Sequence, residues 1–238
     1  MTKNSKYKLV LMMLIGMWFT GCINVDQKTT INEDGSGTIL LEYWVNSNLV
    51  NIGGGVAMGD EIGGFSFIAE EIKKKYASAY TEVRSVRKNE FPADTTTHII
   101  VDIGFKDFNK ITDMQGYSNI EASYVKGKDN TQFRYFIPKD TTIKLNYTTE
   151  KHTLEYTFTF PFEVLETNGT KDPAAKDGNV VKWKFLTSEH ATQDFELKAT
   201  VKNKFQLCGM FGLELPMVLL FGLVYFKAKS RKKNNNLA

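Results

Sequence analysis

The sequence predicts an α+β domain, a curved antiparallel sheet or half-barrel of about nine strands with two helices, followed by one C-terminal transmembrane helix. Three observations carry this. Apolar and polar residues alternate, the strand period, along most of residues 23–204. Two stretches break to helical period. A 22-residue apolar run, Phe205 to Phe226, lies between Lys204 and Lys227. Many strands with two helices set aside is the α+β pattern.

The chain begins with a basic cluster, Lys3, Lys6 and Lys8, then eleven apolar residues from Leu9 to Phe19. Eleven residues are too few to cross a bilayer, which takes about 20, but they suit the apolar region of an export signal. Thr20, Gly21 and Cys22 follow. The run Phe19-Thr20-Gly21-Cys22 resembles the end of a bacterial lipoprotein signal, with Phe19 standing where that pattern has leucine. The resemblance implies that residues 1–21 are removed and that the Cys22 thiol carries a diacylglyceryl group. The thiolate is the nucleophile in such a lipid transfer. An ordinary cleaved signal, or an uncleaved anchor with an incidental cysteine, is the alternative.

Within residues 22–204 the elements follow in order. "NEDGSGT" between two alternating runs is a hairpin signal, with Asp34-Gly35 at the positive φ positions. "GTILLEYWVN" then puts Ile39, Leu41, Tyr43 and Val45 on one face. The glycine-rich loop "NIGGGVAMGDEIGG" carries Ile52, Val56, Met58 and Ile62, with Val50 just before it, and reads either as a mobile connection or as an apolar lid. "SFIAEEIKKKYASAY" spaces Ile68, Ile72 and Tyr76 at helical steps, with Ser66 to cap and Glu70–Lys74 and Glu71–Lys75 as supporting pairs. Its lysine triplet is a solvated helix face. "THIIVDIGF" returns to alternation with Ile99, Val101, Ile103 and Phe105. "DFNKITDMQG" predicts a short helix capped by Asp107, with Phe108, Ile111 and Met114 inward and Gly116 as the stop. Five or six strands complete the domain. "VKGKDNT" and "KDGNVV" are turns among them. "TTIKLNYTT" aligns Ile143, Leu145 and Tyr147. "KHTLEYTFTF" aligns His152, Leu154, Tyr156, Phe158 and Phe160. Val181, Trp183 and Phe185, and then Phe195, Leu197, Ala199 and Val201, mark the last two.

The run over residues 205–226 would reach about 33 Å as a helix, enough for a hydrocarbon core of about 30 Å. The tail over 227–238 carries five basic residues and no acidic one, and positive charge marks the cytoplasmic side. The tail is therefore expected inside the cell and the main domain outside it, in agreement with the export signal. Glu214 sits near the middle of the run. Its insertion cost, about 2.5 to 3.5 kcal/mol by analogy with Asp, is outweighed by twelve Leu, Phe and Val residues at about −0.3 to −0.6 each. An intramembrane carboxylate either pairs with a partner's helix or is simply neutral or shallow. Cys208, in the same run, reads as a small hydrophobe.

The chain holds 30 basic and 27 acidic residues. Three of the basic residues belong to the signal and five to the tail, so residues 23–204 keep 22 basic against 26 acidic, a balance of −4. No basic stripe marks a nucleic-acid surface. With no cysteine between Cys22 and Cys208 the domain holds by packing alone.

Four features together resemble the LppM-type lipoprotein domains of bacteria. A cysteine-led start runs into "TTINEDGSGTILLEYWV". A helix follows the first hairpin. The late block "TFTFPFEVLETNGTKDPAAKDGNVVKWKF" has the order strand, Pro, variable loop, Gly, strand with Trp, with Phe162 rather than Gly after Pro161. One membrane helix with a basic tail ends the chain. The resemblance covers most of residues 22–233. It implies an exported α+β domain with a barrel-like sheet, associated with lipid or another envelope amphiphile.

No catalytic constellation accompanies these features. His98, His152 and His190 are scattered, and none stands at metal-ligand spacing. The glycine run lacks the Gly-Lys-Ser/Thr of a phosphate loop. The sequons at Asn146 and Asn168 have no meaning in a bacterial lipoprotein. The expectation is a membrane-tethered, non-enzymatic protein without cofactor or metal, its partner a membrane lipid held against Tyr156, Phe158 and Trp183, which otherwise are plain core. The alternative is an accessory subunit of a membrane-protein complex, paired through Glu214.

Overall fold

The structure, a computed structural model, describes residues 23–47, 61–62, 64–141, 143 and 152–203. The expected signal over 1–21, Cys22, most of the glycine-rich loop, most of the strand expected over 141–149, the membrane run over 205–226 with Glu214, and the tail over 227–238 lie outside the described residues. Among the described residues no helix is long and apolar enough to cross a membrane.

The first hairpin pairs β1 (Asn24–Ile31) with β2 (Gly37–Asn46). Gly35 alone takes the positive φ, +87°, while Asp34 instead accepts hydrogen bonds from the Ser36 amide at 3.0 Å and hydroxyl at 2.6 Å. A short pair, β3 (Glu61–Ile62) and β4 (Phe65–Ser66), leads into helix α1 (Ala69–Tyr76). Glu70 and Glu71 in the first turn and three lysines in the last match the helix dipole. Ile72 and Tyr76 are its buried residues. The N-cap position falls to Ile68, whose side chain makes no cap bond, rather than to the expected Ser66. Ser66 braces the start from three residues before the helix, accepting from the Ile68 amide at 3.1 Å and donating to Glu71 at 2.7 Å.

β5 (Thr81–Phe91) and β6 (Thr96–Phe105) form a second hairpin. The short helix expected at 107–116 is two 3₁₀ turns, Phe108–Asp113 and Gln115–Tyr117. Its cap is as expected, with Asp107 accepting from the Asn109 amide at 2.9 Å, and Phe108, Ile111 and Met114 are all fully buried. β7 (Glu121–Lys126) and β8 (Asn130–Ile137) follow, then β9 (Thr153–Thr159), β10 (Val164–Thr167), β11 (Thr170–Lys171) and β12 (Val180–Leu186). A single turn, α2 (Thr187–His190), precedes β13 (Phe195–Lys202).

These strands do not make one curved sheet or half-barrel of about nine strands. A seven-stranded sheet runs β11-β12-β9-β1-β2-β6-β5, and a separate four-stranded sheet runs β10-β13-β8-β7. Nor is the pairing wholly antiparallel, because β1 and β9 run parallel. The reason is that alternation identifies a buried face but not which strand edges meet. An inward row from β8 can be covered by bending its own sheet or by a second sheet, and here the second arrangement holds. Phe133 and Tyr135 of β8 press against Phe158 of β9 at ring distances of 4.7 and 5.5 Å. Phe108 sits between the layers, against Phe133 at 5.6 Å and Phe158 at 6.1 Å. The predicted inward rows of β2, β6, β9 and β13 are the buried ones, with Ile39, Tyr43, Val101, Ile103, Phe158 and Leu197 all fully enclosed.

Candidate functional site

The inner face of β1 carries Val25, Gln27, Thr29 and Ile31. Two of these are polar, and Gln27 is only 2% exposed. A buried amide must find partners or cost a few kcal/mol. Gln27 finds three. Its Nε2 donates to Thr29 Oγ1 at 3.0 Å, and its Oε1 accepts from the hydroxyls of Tyr117 at 2.9 Å and Tyr135 at 3.4 Å. The first tyrosine arrives from the second 3₁₀ turn and the second from β8, so one side chain ties three elements together.

Beside this knot lies a cavity of about 440 Å³, within the range of small-molecule sites. Val25, Gln27, Leu41 and Tyr156 of the large sheet form one wall. Tyr135 and Ile137 of β8, with Pro138, Lys139 and Asp140 after it, form another. Phe65, Tyr76, Gly116, Tyr117, Asn119 and Ile120 close a third side, and His190 of α2 completes the lining. Lys139 and Asn119 are exposed, whereas Gln27 and the four tyrosines are buried, so polarity is concentrated at the mouth and on the floor.

The walls are pinned. His190 Nε2 bonds the Pro138 carbonyl at 2.9 Å, Asp140 donates its amide to the His190 carbonyl at 2.9 Å, and the Lys139 amide donates to Asp194 at 2.8 Å. Tyr76 meets Tyr117 edge-on at 5.8 Å. Gly116 makes room for that contact, because a Cβ there would lie 2.3 Å from the Tyr76 ring. Burial pushes the hydroxyls of Tyr117 and Tyr135 well above the ordinary tyrosine value, as it does Tyr156, and the neighbouring phenols add to the shift of Tyr117 and Tyr135. The floor is therefore uncharged: it can hydrogen-bond, but it supplies no ion.

Tyr156 lines this cavity. Phe158 and Trp183 do not; they sit in the ring cluster between the sheets, 5.9 Å apart and edge to face. Trp183 donates to Asn168 Oδ1 at 2.9 Å, and that asparagine also accepts from the Lys198 amide at 2.9 Å and donates to the Glu196 carbonyl at 2.6 Å. Asn168 is thus a joint between the two sheets. Cys22 and Glu214 lie outside the described residues.

The histidines stand apart. His98 is on the outer face of the large sheet, stacked on Trp44 at 5.1 Å and bonded to Glu42 at 2.7 Å and Thr96 Oγ1 at 3.0 Å. The Thr96 hydroxyl already donates to Asp94 at 2.6 Å, so it has no proton to surrender to the ring, as a nucleophile–base pair would require. Among the described residues His152 Nδ1 is buried without a hydrogen-bond partner, and burial lowers its pKa. Among the described residues no cluster of three His, Cys, Asp or Glu is placed to hold a metal.

Gln27, Tyr117 and Tyr135 were not singled out by the sequence. The signal for Gln27 was present as an amide on the apolar face of "VDQKTTI". Fold and site together define a mostly sheet domain with two main sheets and few helices, carrying a half-open, partly apolar cavity whose floor is uncharged. No family model matches the chain, and no curated protein matches it. Among solved structures it is similar to the NMR structure of the folded domain of the Mycobacterium tuberculosis LppM protein, at 14% identity and a TM-score of 0.47, over 79% of this chain and 95% of that one.

Proposed function

We infer that the chain is an exported, membrane-tethered envelope protein that holds a lipid or another envelope amphiphile without performing covalent chemistry on it. The observation that carries this reading is the cavity with apolar walls and a buried amide–tyrosine floor. Val25, Leu41, Phe65, Ile120 and Ile137 offer an acyl segment a surface worth about 25 cal/mol per Å² buried. Gln27, Tyr117 and Tyr135 offer a polar group fixed hydrogen-bonding partners. The sequence supports the setting: residues 1–21 resemble a lipoprotein signal placed just before Cys22, and an apolar run over 205–226 is followed by a basic tail.

The full chain, extracted from bacterial membranes and examined by native mass spectrometry, is expected to retain about one amphiphile per protein. Ile120→Trp, at the half-buried rim of the cavity, is expected to expel most of it while leaving the circular dichroism spectrum unchanged. Equal retention by the folded variant and the parent, or none by either, contradicts the reading.

A further inference from the structure

Resting on that reading, we propose that the group the ligand places on the cavity floor is an uncharged hydroxyl, as in a fatty alcohol or an acylglycerol, rather than a carboxylate or an ester carbonyl. The argument is a count of donors and acceptors. A tyrosine hydroxyl has one proton. Those of Tyr117 and Tyr135 are both given to Gln27 Oε1. What these two residues still present is lone pairs. Gln27 has two amide protons, of which one goes to Thr29. The knot therefore offers acceptors on two oxygens and one remaining donor. Tyr156, beside it on the cavity wall, can serve in either sense.

A hydroxyl matches this set, because it donates its proton to a tyrosine oxygen and accepts from the spare amide proton. An ester carbonyl can only accept and leaves the tyrosine oxygens bare. A carboxylate also only accepts, and it brings a charge. Among the described residues the one lysine or arginine on the lining, Lys139, is exposed at the mouth rather than on the floor. A buried charge without a partner is costly, and a site built around a hydroxyl discriminates against analogues that lack one.

Decanol, methyl decanoate and decanoate are the probes. The full chain, stripped of lipid in nonionic detergent, is titrated with each at pH 8. Decanol is expected to bind about tenfold more tightly than methyl decanoate, and decanoate more weakly still. In Gln27→Met the two tyrosine protons are freed to donate, so the preference for decanol over methyl decanoate is expected to vanish or reverse. If that variant fails to fold, Tyr117→Phe, which keeps Gln27 and its bond to Thr29, is expected to reduce the preference. Methyl decanoate binding as tightly as decanol to the parent overturns the hydroxyl assignment and leaves the amphiphile reading standing. A preference untouched by a folded variant overturns it equally. Failure of all three probes to bind overturns both.

Discussion

Gln27 shows how a single residue can hold a site open. A leucine there would fill the face of β1 with apolar volume, whereas the amide recruits two tyrosine hydroxyls and fixes their rings. Gly116 acts from the opposite side by leaving out an atom. Because a Cβ would intrude to 2.3 Å from the Tyr76 ring, Gly116→Ala is expected to push that ring toward the cavity and to cost about 1 to 3 kcal/mol. Urea unfolding measures the loss, and unchanged stability would show that the ring yields freely. At this scale the sequence was only partly legible. Tyr156 is where an inward row of β9 suggested a lining residue. Phe158 and Trp183 share its face, yet they are covered by Phe133 from the other sheet. Which aromatic meets a void depends on what lies opposite, and alternation within one strand carries no record of that.

At the scale of elements, β2 and β6 and the faces they bury follow from period-two patterning, and the cap at Asp107 follows from helix-start signals, whereas β5 buries no alternating row that a pattern could reveal. What was missed has a common cause. The 3₁₀ turns at 108–117 place Phe108, Ile111 and Met114 inward much as a short helix would, so pattern alone does not separate the two. The parallel pairing of β1 with β9 joins segments about 130 residues apart, and nothing local in either strand encodes its direction. Phe108 is the contact through which the 3₁₀ segment clamps both sheets. Phe108→Ala is expected to lower stability by about 3 to 5 kcal/mol and to loosen Tyr117 with it. Hydrogen exchange should then show faster exchange in the 3₁₀ turns and β7 than in the β5–β6 hairpin. Uniform loss of protection across the domain would argue that the segment is not a clamp.

For the whole domain, stability should form a plateau in pH with two distinct edges. Tyr117, Tyr135 and Tyr156 are raised by burial above the ordinary value of 10.0, and burial pushes Tyr124 up to about 12. A raised pKa lends stability that is complete below the unfolded value and drains as pH climbs through the folded one. The alkaline edge therefore begins near pH 10. His152 is lowered by burial from 6.5, so its contribution is complete above that value and drains as pH falls through the lowered one. Urea midpoints measured from pH 4 to 11.5 are expected to fall at both ends, and His152→Phe is expected to shift the acid edge downward. A midpoint still flat at pH 11.5 would mean the tyrosines are not enclosed.

The central claim is that an amphiphile occupies the space beside Gln27 with its hydroxyl on the floor. Side-chain amide NMR of the full chain, labelled with ¹⁵N at the glutamine side chains and titrated with decanol, tests this most directly. Gln132 is exposed on the second sheet and Gln193 on the loop before β13. The account predicts a saturable shift of the Gln27 amide pair with both of those unmoved. A Gln27 signal that stays in place at saturation, or one that moves no more than the two exposed glutamines, would contradict it.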